Sequence, residues 1–222
     1  DGAQPGTHVH RLGRQGLRVS YQLPPVLQRI KAIGGVVFDG PAAYDLNLFG
    51  IRSPNREAGR FDDLMGCAYR ETEGGPFKVS WWPATTDPGV YWLRHPMRRE
   101  GCAILVGDKQ YRGMWRLGLH RKSYTALIQV GDCSVFRDAD RTSELSLDES
   151  SIMVGRYGIN GHASIRNELG TGEATSIGKA SAGCQVHATQ RGFDEMVSLA
   201  QRQVEHHPTW QTFTYTLLHQ WW

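Results

Sequence analysis

A mostly β domain, a sandwich or barrel with few helices and one C-terminal helix, is the fold class this sequence predicts, from three patterns. Short apolar runs alternate with polar residues, as in Phe77-x-Val79-x-Trp81, which suits strands with one buried face. Turn chemistry recurs between them at Gly101, Gly107-Asp108, Gly113, Gly131-Asp132 and Asp138 to Asp140. Strands spaced this closely leave no room for crossover helices, so a sandwich or barrel is expected rather than a βαβ sheet. The third pattern is the helical spacing of Phe193, Met196, Val197, Leu199, Ala200 and Val204 near the C-terminus.

In chain order, residues 1–16 are rich in Gly, Arg and His without periodicity and read as an arm. A short helix follows over 23–33: Pro24 and Pro25 suit its start, Val26, Leu27, Ile30 and Ile33 form an apolar face, and Gly34-Gly35 ends it. Strands are expected at 36–38, 44–51, 64–69, 77–83, 90–93, 102–106, 114–119, 124–130 and 134–137. A strand over 152–159 would deliver His162 at its end. The helix spans 191–206, with His206-His207 suiting its C-terminal dipole, and 212–218 closes the sheet. This divides the chain into an arm and short helix, 1–34, and a β domain, 35–222.

At 222 residues and 40% hydrophobic, the chain can bury a core of ordinary size. A net charge of +3 argues against a dedicated nucleic-acid binder. No apolar run approaches the ~20 residues of a membrane span. Cys67, Cys102, Cys133 and Cys184 show no CxxC pairing, which argues against a disulfide scaffold or a four-cysteine zinc site. The first three sit in apolar contexts and read as core, with room for one disulfide outside the cytoplasm.

Chemistry concentrates between Gly158 and Ala188. His162 follows a Gly158-Ile159-Asn160-Gly161 turn, and Cys184 lies in Ser181-Ala182-Gly183-Cys184-Gln185-Val186-His187. A cysteine nucleophile needs a base and backbone N–H donors for the oxyanion. His162 is the base candidate, the amides around Gly183 and Cys184 the oxyanion hole, and Ser181 an orienting group through its side chain or carbonyl.

Ile159 with His162, Ser181-x-Gly183-Cys184, and Ser176-Ile177-Gly178 resemble the signature of the L,D-transpeptidase family of cell-wall enzymes; Thr86-Asp87-Pro88-Gly89-Val90-Tyr91 resembles the segment that opens that family's domain. The resemblance covers roughly residues 77 to 200. Two positions depart from the family pattern: Ala182 stands where it carries His, and Val186 where it carries Arg or Asn. His187 or Arg166 is the expected substitute.

The resemblance implies a divergent peptidoglycan-modifying cysteine enzyme that acts on stem peptides through a Cys184 thioester. An amine acceptor gives transpeptidation or D-amino-acid exchange; water gives carboxypeptidase or endopeptidase activity. It implies no cofactor and no metal, and action in the periplasm or cell wall. Arg156 and Arg166 are expected to clamp substrate carboxylates, and Gln110, Tyr111, His120 and Tyr124 to line a groove. The chain opens at Asp1 without a signal-peptide pattern, so a lost leader, a fused delivery domain or an expression boundary is expected, and a secreted, injected or virion-associated wall enzyme fits as well as a housekeeping periplasmic one; no immunity partner is identifiable. Two other readings stand beside this one: a zinc-dependent hydrolase using His162, Cys184 and His187, and a wall-binding module without turnover.

Overall fold

A computed structural model describes residues 22–164, 174 and 176–222. Eight strands close into a barrel in the order β1-β11-β5-β6-β9-β10-β3-β2, and β4, β7 and β8 form a separate three-stranded sheet. In the barrel, β1 is Asn47–Arg52, β2 Asp63–Arg70, β3 Phe77–Thr85, β5 Lys109–His120, β6 Tyr124–Gln129, β9 Gly161–Ala163, β10 Gln185–His187 and β11 Phe213–His219. In the small sheet, β4 is Cys102–Leu105, β7 Cys133–Asp138 and β8 Met153–Gly155. The helices among the described residues are α1 (Pro25–Ala32), α2 (Val90–Arg94), α3 (Gln190–His206) and a 3-10 turn at Glu149–Ser151. None is long and apolar enough to cross a membrane.

The core follows strand alternation. Leu48 of β1, Met65 and Cys67 of β2, Trp82 and Ala84 of β3, and Tyr215 and Leu217 of β11 face inward, where they meet Phe193, Met196 and Ala200 of α3. The apolar stripe of the C-terminal helix thus joins the barrel's core. Thr189 caps that helix by accepting the Gly192 N–H at 3.1 Å, and glycine is required there because a Cβ would meet Trp82 Cδ1 at 2.9 Å. On the outside, Val26, Leu27 and Ile30 of α1 cover Phe49, Ile51, Ala68 and Leu218.

Three expected strands differ. Residues 36–38 form none, because Gln110 Oε1 takes the Val36 amide at 2.9 Å and Asn47 Oδ1 the Phe38 amide at 2.8 Å, leaving no ladder to join. Residues 90–93 are helical: Pro88-Gly89 opens a turn in which the Trp92 and Leu93 amides return to Gly89 O, and Leu93 packs beneath it. The run 152–159 breaks after β8. Gly158 adopts φ +73°, and the Tyr157 and Ile159 amides both donate to Gln129 Oε1, at 3.0 and 2.8 Å. His162 therefore lies within β9 and not at the end of β8.

Candidate active site

Strands β9 and β10 run parallel with Gln185 opposite Gly161, Val186 opposite His162 and His187 opposite Ala163. Side chains alternate, so Cys184, just before β10, returns to the face of Val186 and His162, while Gln185 and His187 point into the barrel. Pairing of two short strands is what brings the histidine and cysteine to one face.

His162 is 4% exposed, and its Nδ1 lies 2.8 Å from Ala163 O. A carbonyl only accepts, so Nδ1 carries the proton and Nε2 keeps its lone pair. His120, from the end of β5, stacks on this ring at 4.3 Å between centroids. Asn160 Nδ2 approaches His120 Nδ1 at 3.4 Å. Burial pulls His162 down to about 4, and the charge on Arg121 at the β5–β6 turn acts the same way, so the imidazole is neutral at pH 7.

Cys184 is half-buried and free, and its thiol donates to Gly158 O at 3.3 Å. Burial raises its pKa, which the Asn160 N–H and the Arg121 charge oppose. The resting pair is therefore neutral thiol and neutral imidazole.

The loop that carries Cys184 is braced from both ends. Ser181 is fully buried; its Oγ donates to Cys184 O at 2.9 Å and accepts the Gly183 N–H at 3.1 Å, and its carbonyl accepts the Gly89 N–H at 2.9 Å. The Gly183 amide is thereby occupied, which removes it from the expected oxyanion pair. Gly183 takes φ +117°, and a Cβ there would sit 2.1 Å from Ala103 O, so only glycine lets the loop lie against β4. Gln185 Nε2 donates to Thr86 O at 3.2 Å, so the Thr86-to-Tyr91 segment and the cysteine segment, remote in sequence, hold each other.

Beneath them is a buried charge cluster that sequence reading missed. Arg52, 2% exposed, pairs with Asp87 at 2.9 Å and donates to Leu105 O and Thr86 O. Asp63 accepts from the Thr86 amide and hydroxyl. Burial and the neighbouring Asp87 push Asp63 up to about 7, against the pull of Arg52.

Other expected site residues fall elsewhere. His187 is wholly buried on the inner face, Nε2 against Met196 Sδ at 3.1 Å, so it cannot replace the family's residue after the cysteine. His162, Cys184 and His187 do not form a zinc site: among the described residues, no group of three or more His, Cys, Asp or Glu is placed to hold a metal ion. Tyr111 is core, its hydroxyl donating to Val106 O at 2.7 Å, and Gln110 holds the chain after α1, so neither lines a groove. Tyr124 stands edge-on to Phe193 and beside His120. Arg156 is exposed, 3.7 Å from Asp132, and Arg166 lies outside the described residues. All four cysteines are free. Asn160 and Gly158 were visible in sequence only as a turn; their contacts with the thiol need the folded loop.

No protein-family model matches the chain, and neither a curated protein nor a solved structure is significantly similar to it.

Proposed function

We propose that this protein is a cysteine acyl-transfer enzyme of L,D-transpeptidase type that acts on peptidoglycan stem peptides. The supporting observation is the shared face of Cys184 and His162, with the His162 tautomer set by Ala163 O. In the resting site the thiol hydrogen goes to Gly158 O. Rotation of the cysteine side chain transfers that contact to His162 Nε2. The imidazole takes the proton as sulfur attacks the carbonyl carbon, and the oxyanion meets the Cys184 amide, since the Gly183 amide is held by Ser181. Collapse breaks the C–N bond, His162 returns the proton to the leaving amine, and a thioester remains. An incoming amine or water, deprotonated by His162, then releases the acyl group.

A raised thiol pKa and a lowered imidazole pKa favour proton transfer during attack over a preformed ion pair. Alkylation of Cys184 is therefore expected to be slow at mildly acidic pH and to rise toward alkaline pH.

The test is incubation of the wild type and Cys184→Ala with defined tetrapeptide stems, with and without a free D-amino acid, followed by mass spectrometry. Release of a terminal residue or cleavage of a cross-link by wild type alone identifies a hydrolase; mass exchange that needs the D-amino acid identifies a transferase. Identical behaviour of the two proteins overturns the thioester mechanism.

A further inference from the structure

Beside the nucleophile loop, a cavity of about 360 Å³ opens between α2, the small sheet and residue Ala182. Among the described residues its walls include Trp92, Tyr157 and three arginines, Arg98, Arg137 and Arg156, and no carboxylate. Arg137 donates to Gly101 O and lies over the Tyr157 ring at 5.6 Å, but its buried Nε has no hydrogen-bond partner among the described residues. The Arg98 side chain has no ion pair among the described residues. Among the described residues, Arg156 ion-pairs only with an exposed Asp132, at 3.7 Å. Asp138, next to Arg137 in β7, has its oxygens committed to the Asp140 and Ser146 amides.

Three permanent positive charges around one concavity, with an unpartnered buried donor, form a receptor for an anion. Ala182 lies two residues before Cys184, and Tyr157 precedes the glycine whose carbonyl accepts the thiol hydrogen, so the cavity adjoins the reacting sulfur. Aromatic and aliphatic walls suit a ligand whose anion sits on a hydrocarbon stem. We infer that this cavity binds a free carboxylate of the peptide substrate, on a residue flanking the scissile bond, with Arg137 as the central fork and Arg98 and Arg156 at the rim. The assignment rests on the acyl-transfer reading for its substrate. It also locates the contact that Ala182, lacking a functional side chain, cannot make.

The test is calorimetric binding to Cys184→Ala, which holds substrate without turnover. The probes are a tetrapeptide stem, the same peptide with its carboxylates amidated, and inorganic phosphate. The acid peptide should bind at least about tenfold more tightly than the amide. Arg98→Gln and Arg137→Gln, each placed in the Cys184→Ala background, should lose that preference while keeping affinity for the amide. Arg137→Lys guards against a folding defect: it keeps the charge, loses the planar fork and should fall between. Equal affinity for acid and amide overturns the inference, and so does phosphate binding as tightly as the acid peptide. If the wild type turns over no stem yet the carboxylate preference persists, the enzymatic reading falls and the carboxylate site stands. If stems are processed with the same KM whether amidated or not, the enzyme stands and the inference falls.

Discussion

The strand pair β9–β10 carries two buried histidines, one on each face, and the faces treat them differently. On the outer face, His162 has Nδ1 satisfied by Ala163 O, lies against His120 and shares its side of the sheet with a half-buried thiol. On the inner face, His187 sits between Trp82, Phe193 and Met196, with Nδ1 unpartnered. Both are held neutral by burial, at about 4 and about 3. A depressed pKa therefore does not single out the proposed base; the fixed tautomer and the thiol on its side of the sheet do.

The largest expected effect is on the thiol. Cys184→Ala should abolish turnover, by a factor on the order of 10³ or more, while leaving circular dichroism and thermal unfolding near wild type, because the side chain is only half-buried and bonds one carbonyl. A variant that retains activity would remove the outer face from the chemistry.

Next comes the comparison between the two rings. His162→Gln should lower kcat/KM by roughly 10² to 10⁴, the usual share of a general base. His187→Phe should leave kcat/KM within about threefold, since His187 contacts only the barrel interior. Equal losses would mean the two faces act as one site. The wild-type profile gives a second check: on the acyl-transfer proposal neutral His162 is the base, so kcat/KM should fall as pH drops through about 4.

Ser181→Ala is expected to act more mildly. It removes a hydroxyl that ties Gly183 N–H to Cys184 O, and should cost about 1 to 3 kcal/mol in stability by urea denaturation. It should lower kcat more than it raises KM, since Ser181 positions the loop without touching substrate. Because the Gly183 amide is then freed, a rise in kcat would show that Ser181 restrains the oxyanion hole.

The fold was legible where the residue pattern is regular. Alternation and apolar runs found the long strands β2, β3, β5 and β6, though β2 and β3 carry a second apolar face against α1, and 3.6-residue spacing found α3, whose one apolar stripe meets the barrel core. It failed where backbone partners are side chains or glycines: residues 36–38, tied to Gln110 and Asn47, and 152–159, cut at Gly158. Val90-Tyr91-Trp92-Leu93 has the composition of a strand but the N–H pattern of a turn after Gly89. At the candidate site, Ser181, Gly183, Cys184 and His162 could be picked out as a local stretch. Their shared face could not, since it depends on a three-residue parallel pairing. Arg98 and Arg137 lie in segments remote from that stretch, and only the packing of the small sheet against the loop makes them neighbours of Ala182. Tyr111, remote from the motif, and His187, within it, show the converse error, polar residues expected at the site whose strand parity sends them inward.

The smallest effect tests the inner face by stability rather than activity. A histidine whose folded pKa lies below its unfolded value binds fewer protons folded than unfolded, so stability rises with pH across that interval. For His187, lowered from 6.5 to about 3, the contribution is complete above 6.5 and is lost as pH falls toward 3. His162 adds the same sign between 6.5 and about 4. Asp63, raised from 3.8 to about 7, works the other way: its contribution is present below 3.8 and lost as pH rises through 7. His187→Phe removes one acid-side loss together with an unpartnered buried nitrogen, while its ring still meets Trp82 and Phe193. The variant should match or slightly exceed wild type at pH 7, and its advantage should grow by about a few degrees in Tm between pH 6.5 and 4. A constant difference across that range would mean that His187 is already charged inside the barrel, and the contrast between the two faces would then need a hidden partner for its Nδ1.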